Sequence, residues 1–459
     1  LILSYADIIN KLSGLIWGPY MIWLLVGTGL LLSIRLGFAQ FTKLGFTLRL
    51  TMSKMTSKDE GKGEGEISSF QALATALSST VGVGNIAGVA TAIGIGGPGA
   101  MFWMWIAALV GMATKFGEVT LAMAYREKDD SGTWRGGAMY IWRKAFNLPI
   151  MGFFFAIAML LVAYVNCNMV QSNTAALSLA EYGVPPIITG IGFAVLISMV
   201  IFGGIKRLGK VTGILVPVMS LIYIVGSLII LVVYAKEIPA AFALIFKSAF
   251  GGHQAVGGFA GATMAQAMRY GIARGVFSNE AGCGSAPIAH SAAIVKHPAE
   301  QGLYGIVEVF LDTLVIGTAT ALAVIVTGTW STGADGAVLA IKAFETVFGP
   351  LGGMFITLSV LLFGFSTVLG WSWYGETSAA FLFGKKSVLP FRLIWILFSV
   401  LGALVALRTI WATADFALGL AVLTSLTALL LMNGKVVQLA KEYFASADFE
   451  ELKASVGKK

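Results

Sequence analysis

The sequence predicts an all-α integral membrane protein of eleven transmembrane helices, built as a five-plus-five inverted repeat behind one extra N-terminal helix. Three observations predict this: composition, the sorting of basic residues, and two apolar runs broken by glycine. Of the 459 residues, 57% are hydrophobic and only 12% charged, with a mean hydropathy of +0.84. Soluble domains carry about 25% charge. Taking about 20 apolar residues as a bilayer span, the spans fall at roughly 14–36, 67–95, 99–125, 150–180, 186–204, 212–236, 258–293, 301–329, 350–384, 389–408 and 412–434.

The net charge of +8 raises the possibility of nucleic acid, but its distribution excludes it. With the N-terminus outside, 23 of the 31 Lys and Arg fall on inner segments. Five fall on outer ones (Lys11, Lys236, Lys247, Lys342 and Arg408), and Lys115, Arg269 and Arg274 lie within spans. This positive-inside bias places the N-terminus outside and the C-terminus in the cytoplasm of a cell membrane, with the bilayer as the surrounding partner. Cys167 and Cys283 both lie within spans, so no disulfide framework is indicated. No charged n-region with an A-x-A pattern precedes the first span, so no signal peptide is expected.

The chain divides into residues 1–66, an N-terminal helix and charged cytoplasmic linker, then 67–257 and 258–434, two five-helix sets, and a cytoplasmic tail over 435–459. Four complete spans separate the two broken runs. The first broken run therefore enters from the cytoplasm and the second from outside, which makes the two sets inverted repeats. The segment 334–348 is amphipathic and too short to span, so it reads as an extracellular helix, either a lid or a surface brace.

The first broken run holds Ser78-Ser79-Thr80-Val81-Gly82-Val83-Gly84-Asn85, and the second runs from Arg274-Gly275 through Phe277-Ser278-Asn279-Glu280 to Gly282-Cys283-Gly284. Unpaired backbone survives in a bilayer only where protein buries it or a cavity exposes it. A broken helix offers free N–H groups to an anion and free carbonyls to a cation, which together suit a zwitterionic amino acid and a coupled cation. Gly82 and Gly84 at the first break, and Gly275, Gly282 and Gly284 at the second, permit the unwinding. Glycines also serve close helix packing, but two such clusters at matching places in inverted halves point to a transporter binding site. Candidate substrate-binding residues are Ser79, Thr80, Gly82, Gly84, Asn85, Phe277, Ser278, Asn279 and Trp371. The large rings of Phe277 and Trp371 are positioned to limit side-chain size.

In the ninth span, the adjacent hydroxyls of Ser366 and Thr367 offer two hard ligands to a cation, although such hydroxyls often satisfy their own helix carbonyls instead. Intramembrane charges are functional candidates by default. Lys115 and Glu118, spaced i,i+3, are placed to pair with each other. Arg269, Arg274, Glu280, Glu308, Asp312 and Glu376 remain as gate or coupling candidates.

Three stretches resemble the signatures of the alanine or glycine:cation symporter family (sodium:alanine symporters). They are Gly84-Asn85-Ile86-Ala87-Gly88-Val89-Ala90-Thr91-Ala92-Ile93, Gly96-Gly97-Pro98-Gly99-Ala100-Met101-Phe102-Trp103-Met104-Trp105, and Arg274 through His290. The family is a branch of the amino acid–polyamine–cation superfamily. The resemblance implies the leucine-transporter fold and Na⁺-coupled symport of small neutral amino acids, chiefly alanine and glycine, with Na⁺ as the coupling ion. It also implies a sodium site from the carbonyls of Ser78, Val81 and Phe363 and the hydroxyls of Ser366 and Thr367. Coupling to H⁺ is the alternative. A channel is the different-class reading, but it lacks the expected repeated pore helices or charged rings. An enzyme is not expected, because His253, His290 and His297 have no metal-ligand spacing.

Overall fold

The computed structural model describes residues 5–55, 63–250, 264–334, 336–405 and 410–457. Among these residues, the only strand pair is the short hairpin Glu127–Lys128 with Trp134–Arg135. Six helices are long and apolar enough to cross a membrane, or eight if each bent pair counts as one span. Pro19–Arg35 and Pro186–Ile201 are shorter apolar helices.

Proline opens several of the helices, as its fixed φ and missing N–H favour, and Gly384 caps the one that ends at Phe383. Pro149, Pro186, Pro298 and Pro350 open helices that end at Ala180, Ile201, Val326 and Phe383. These edges lie within a few residues of those expected. Three edges differ. The first expected span is interrupted at Trp17–Gly18, between Tyr5–Ile16 and Pro19–Arg35. The helix expected from residue 212 starts at Gly204, so Lys206, Arg207 and Lys210 ride on its first turns. The tail after Met432 forms two helices, Asn433–Phe444 and Ala447–Gly457.

The first broken span is set by local chemistry at both ends. A capping box opens it: Gln71 N–H donates to Ser68 Oγ at 3.2 Å, and Ser68 N–H to Gln71 Oε1 at 3.1 Å. The helix Ser69–Thr80 stops at Val81, whose ψ is 88°. It resumes at Gly84 as one π-helical turn and runs to Gly96, bent by 53°.

The second break lies further along the chain than its glycines suggested. Met264–Asn279 is continuous helix, with Gly275 packed beside Met104 and Ala107. Its expected start over 258–263 lies outside the described residues. The chain unwinds instead over 280–285, where Glu280, Gly282 and Gly284 have φ of 55°, 91° and 72°. It restarts as the short helix Ala286–His290. A glutamate, a residue type that rarely takes the left-handed region, makes the turn.

The segment expected outside the membrane is helical over Gly336–Phe348, with Leu339, Ala340, Ala343 and Phe344 buried. That face packs mainly on Pro350–Phe383 and the first broken span. The linker is described only from Gly63. There its backbone pairs with the strand-like segment after the second break: Glu66 N–H donates to Ala292 O at 2.7 Å and Ile294 N–H to Ile67 O at 2.8 Å. Arg126 bridges both, donating to Ser291 O (2.9 Å), Ala293 O (2.7 Å) and Glu64 O (2.5 Å).

Candidate substrate and cation site

A small cavity lies against the first break. It is lined by Ser79, Thr80, Gly82 and Gly84, by Phe277, Glu280 and Cys283 of the second broken segment, and by Thr367 and Trp371 of Pro350–Phe383. Val162, Asn166, Cys167 and Gln171 of Pro149–Ala180 and Leu418 complete it. It leaves about 20 Å³ for a water-sized body, on the order of one water, so the walls are closed up in this conformation. Phe277 and Leu418 also line a second cavity with Trp17, Arg269, Arg274 and Asp415. These two side chains therefore form the partition between the cavities.

The hydroxyls of the first half-helix serve their own helix. Ser78 Oγ donates to Thr75 O at 2.7 Å, Ser79 Oγ to the same oxygen at 3.3 Å, and Thr80 Oγ1 to Ala76 O at 3.3 Å. Oxygens left over come from backbone and from the ninth-span pair. Ser366 Oγ lies 2.9 Å from Phe363 O and 3.4 Å from Val81 O, donating to these carbonyls. Thr367 Oγ1 is buried with no hydrogen-bond partner within the protein. It faces Gly82 so closely that a β-carbon there would sit 2.3 Å away. Ser78 packs one helical turn along, its Oγ 2.5 Å from where a β-carbon of Gly370 would stand. Val81 caps the C-terminal end of the half-helix Ser69–Thr80, the end at which partial negative charge collects.

Of the candidate substrate residues, Ser79, Thr80, Gly82, Gly84, Phe277 and Trp371 line this cavity. Asn85, Ser278 and Asn279 do not. They turn to the eighth span, where Asp312 forms a buried node. Asn85 Nδ2 donates to Asp312 Oδ1 at 2.7 Å, Ser278 Oγ to Oδ2 at 2.9 Å, and Thr313 Oγ1 to Oδ2 at 2.7 Å. Asn279 Nδ2 donates to Thr313 Oγ1 at 3.0 Å. Asn85 Oδ1 also accepts from Gly82 N–H at 2.9 Å, so the node holds the unwound turn of the first break to both the second broken helix and the eighth span.

Lys115 and Glu118 do not pair as an i,i+3 ion pair. Lys115 Nζ lies 3.2 Å from Glu308 Oε1, both side chains fully buried. Glu308 Oε2 meets His290 Nε2 at 3.0 Å, and His290 Nδ1 meets Gln301 at 2.7 Å, so this histidine belongs to a buried chain. Glu118 instead accepts from Gly282 N–H (3.0 Å), Gly284 N–H (2.9 Å) and Ser425 Oγ (2.7 Å). The Glu118 carboxyl group thus satisfies the backbone donors freed at the second break. Glu280 points the other way, into the cavity, where its oxygens accept from Trp371 Nε1 (2.9 Å) and Ser285 Oγ (2.5 Å).

Asn166 and Gln171 were not among the residues the sequence singled out. They lie on or beside the π-helical segment Val162–Met169, and π-bulges frequently mark functional sites. Asn166 Oδ1 and Gln171 Oε1 are buried without hydrogen-bond partners within the protein. With Thr367, they give the cavity three unsatisfied polar atoms.

Residues 3–456 match the sodium:alanine symporter family. The chain belongs to that family. It is 44% identical to the sodium/alanine symporter AgcS of Methanococcus maripaludis over 96% of this chain and 98% of the relative. It is 36% identical to the putative sodium/proton-dependent alanine carrier YrbD of Bacillus subtilis, over 95% of this chain and 92% of the relative. Among solved structures, MhsT in complex with L-phenylalanine matches with a TM-score of 0.61 at 16% identity, covering 86% of this chain and 96% of that one. At that identity the likeness shows the fold alone, that of the leucine-transporter type. Membership identifies a multi-pass membrane symporter in amino-acid transport.

Proposed function

We propose that this protein is a Na⁺-coupled symporter that carries alanine and glycine into the cell by alternating access. The observation that carries the reading is the oxygen set at the first break. Thr367 Oγ1, buried and unpartnered, stands over Gly82 beside Ser366 Oγ, Phe363 O and Val81 O. Unwound carbonyls and half-helix C-terminal ends are the usual cation ligands in broken-helix transporters. The Ser78 carbonyl completes the proposed set. The substrate is assigned to the adjoining cavity, its carboxylate towards the N-terminal end at Gly84 and its side chain towards Phe277 and Trp371. Asn85, Ser278 and Asn279 support the site from behind, through Asp312, in place of direct substrate contact.

The architecture proposed with it is eleven spans in two inverted sets, 67–257 and 258–434, after 1–66 and before the tail 435–459. The N-terminus is outside and the C-terminus in the cytoplasm. Cysteine labelling tests the orientation. Gly63 is a poor site, because a β-carbon there would stand 2.2 Å from Val295 O. Asp130→Cys at the exposed hairpin should label only from the cytoplasm, and Lys342→Cys only from outside. Cys167 and Cys283 are buried and contribute little background.

Counterflow of labelled alanine in proteoliposomes, with Na⁺, Li⁺, K⁺ and pH varied separately, tests the coupling. Strict Na⁺ dependence at constant pH supports the proposal. Glu280 favours one second reading, proton coupling, because its carboxylate lines the cavity. Uptake driven by a pH gradient without Na⁺ would replace the first reading with that one.

A further inference from the structure

At the face the charge sorting assigns to the cytoplasm, a cleft of about 660 Å³ opens between the hairpin after the third span and the ends of the fifth, sixth, ninth and tenth. Five cations line it: Arg135, Lys206, Lys385, Lys386 and Arg392. Two carboxylates, Glu66 and Glu376, face them. Glu376 is already spent on two partners, with Arg135 Nη2 at 3.3 Å and Arg392 Nε at 2.7 Å. Arg135 also engages Asp129 Oδ2 at 2.6 Å. Lys206 meets Glu66 at 3.5 Å with 69% of its side chain exposed. Lys385 and Lys386 are exposed and make no ion pair among the described residues. The cleft therefore keeps a net positive charge after its internal pairs are formed.

Its rim is apolar. Phe202, Phe383 and Leu389, beside the cationic residues on the fifth, ninth and tenth spans, are 47%, 69% and 57% exposed. Cations at the level of the headgroups with exposed apolar side chains beside them suit a molecule with a phosphoryl anion and acyl chains. Basic pockets between helices on the cytoplasmic side are suited to anionic headgroups.

We infer that this cleft is a binding site for the phosphoryl headgroup of an anionic lipid, held by Lys385 and Lys386, with the acyl chains along Phe202, Phe383 and Leu389. A free phosphate shares the headgroup chemistry but leaves the apolar rim unused. The inference rests on the cytoplasmic placement of this face, but its test reads binding, not transport, so it stands or falls separately from the sodium and alanine assignment.

The test is native mass spectrometry and thermal unfolding of the delipidated, detergent-purified full chain. Phosphatidylglycerol, phosphatidylcholine and inorganic phosphate are added separately. Phosphatidylglycerol should be retained and should raise the melting temperature, while phosphatidylcholine, whose choline neutralises the phosphoryl charge, should do neither. Lys385→Gln/Lys386→Gln should weaken phosphatidylglycerol retention by about tenfold or more, and Lys441→Gln/Lys453→Gln on the exposed tail should leave it unchanged. Both lysines of the test pair are exposed, so the variant retains the fold. Equal retention of the two lipids, or undiminished retention by Lys385→Gln/Lys386→Gln, overturns the site. An equal stabilisation by inorganic phosphate overturns the lipid as its source.

Discussion

Thr367 Oγ1 stands where only a glycine at position 82 leaves room for it: a β-carbon on Gly82 would come within 2.3 Å of that oxygen. The glycine thus does two things at once, unwinding the first broken span and bringing the backbone against a buried hydroxyl. If that hydroxyl is a cation ligand, its loss resembles the loss of a hydrogen bond to a charged group, about 1.5–3 kcal/mol. Thr367→Ala should then raise the Na⁺ concentration for half-maximal uptake by about tenfold or more. Gly82→Ala should do similar damage by displacing the same oxygen. The double variant should be no worse than Thr367→Ala alone, because neighbours that share one interaction are not additive. Additive losses in Na⁺-activation curves would separate the two residues and sink the site.

The first break was legible because two glycines, Gly82 and Gly84, interrupt an apolar run and adjoin hydroxyl residues. The second was misplaced for a physical reason. Gly275 is a packing residue inside a continuous helix, and the turn begins at Glu280, whose left-handed φ no composition rule announces. The i,i+3 spacing of Lys115 and Glu118 suggested a local pair. Both side chains are buried, and their partners come from other segments, which a single sequence does not display. Asn166 and Gln171 escaped because they stand among other polar residues, Asn168, Ser172, Asn173 and Thr174, and a π-helical segment shifts which of them face the cavity.

Glu118 is the structural counterweight of the second break. Its carboxylate accepts from Gly282 N–H and Gly284 N–H, both buried. Glu118→Ala leaves these donors unpaired at about 1–3 kcal/mol each, so the unfolding temperature of the purified protein should fall by several degrees. Glu118→Gln keeps one acceptor and should lose markedly less. If the two variants unfold alike, the carboxylate does not hold the turn.

Substrate size should be set by the partition between the two cavities. Phe277 and Leu418 line both, and Trp371 faces them across the central one. Trp371 is not a clean probe, because its Nε1 also donates to Glu280, and shrinking it strands a buried carboxylate. Phe277→Val enlarges the cavity and leaves no buried carboxylate unpaired, although it removes the ring beneath the Arg274 guanidinium, 5.6 Å from its centroid. It should let valine and leucine compete with labelled alanine, and it should weaken alanine itself by about 1–3 kcal/mol through the cavity left behind. Failure of both larger amino acids to compete in this variant would show that the ring is packing and not a size limit.

His297 gives the fold a pH dependence outside the membrane spans. It precedes Pro298–Val326, where its Nδ1 accepts from Ala299 N–H at 3.2 Å, and its ring stacks on Tyr443 at 5.1 Å. Burial pushes its pKa below the usual 6.5, against the nearby carboxylates Glu442 and Asp448, which pull it up. The native state therefore binds the proton less readily than the unfolded chain. The stabilising contribution is present above pH 6.5 and is lost as the pH falls below it, because protonation removes the acceptor that caps the helix. His297→Asn keeps a capping oxygen that does not titrate. Melting temperatures followed from pH 7.5 to 5 should therefore fall more steeply for the wild type than for the variant. Parallel curves would mean that the imidazole stays neutral throughout, or that its proton is matched by the two carboxylates beside it.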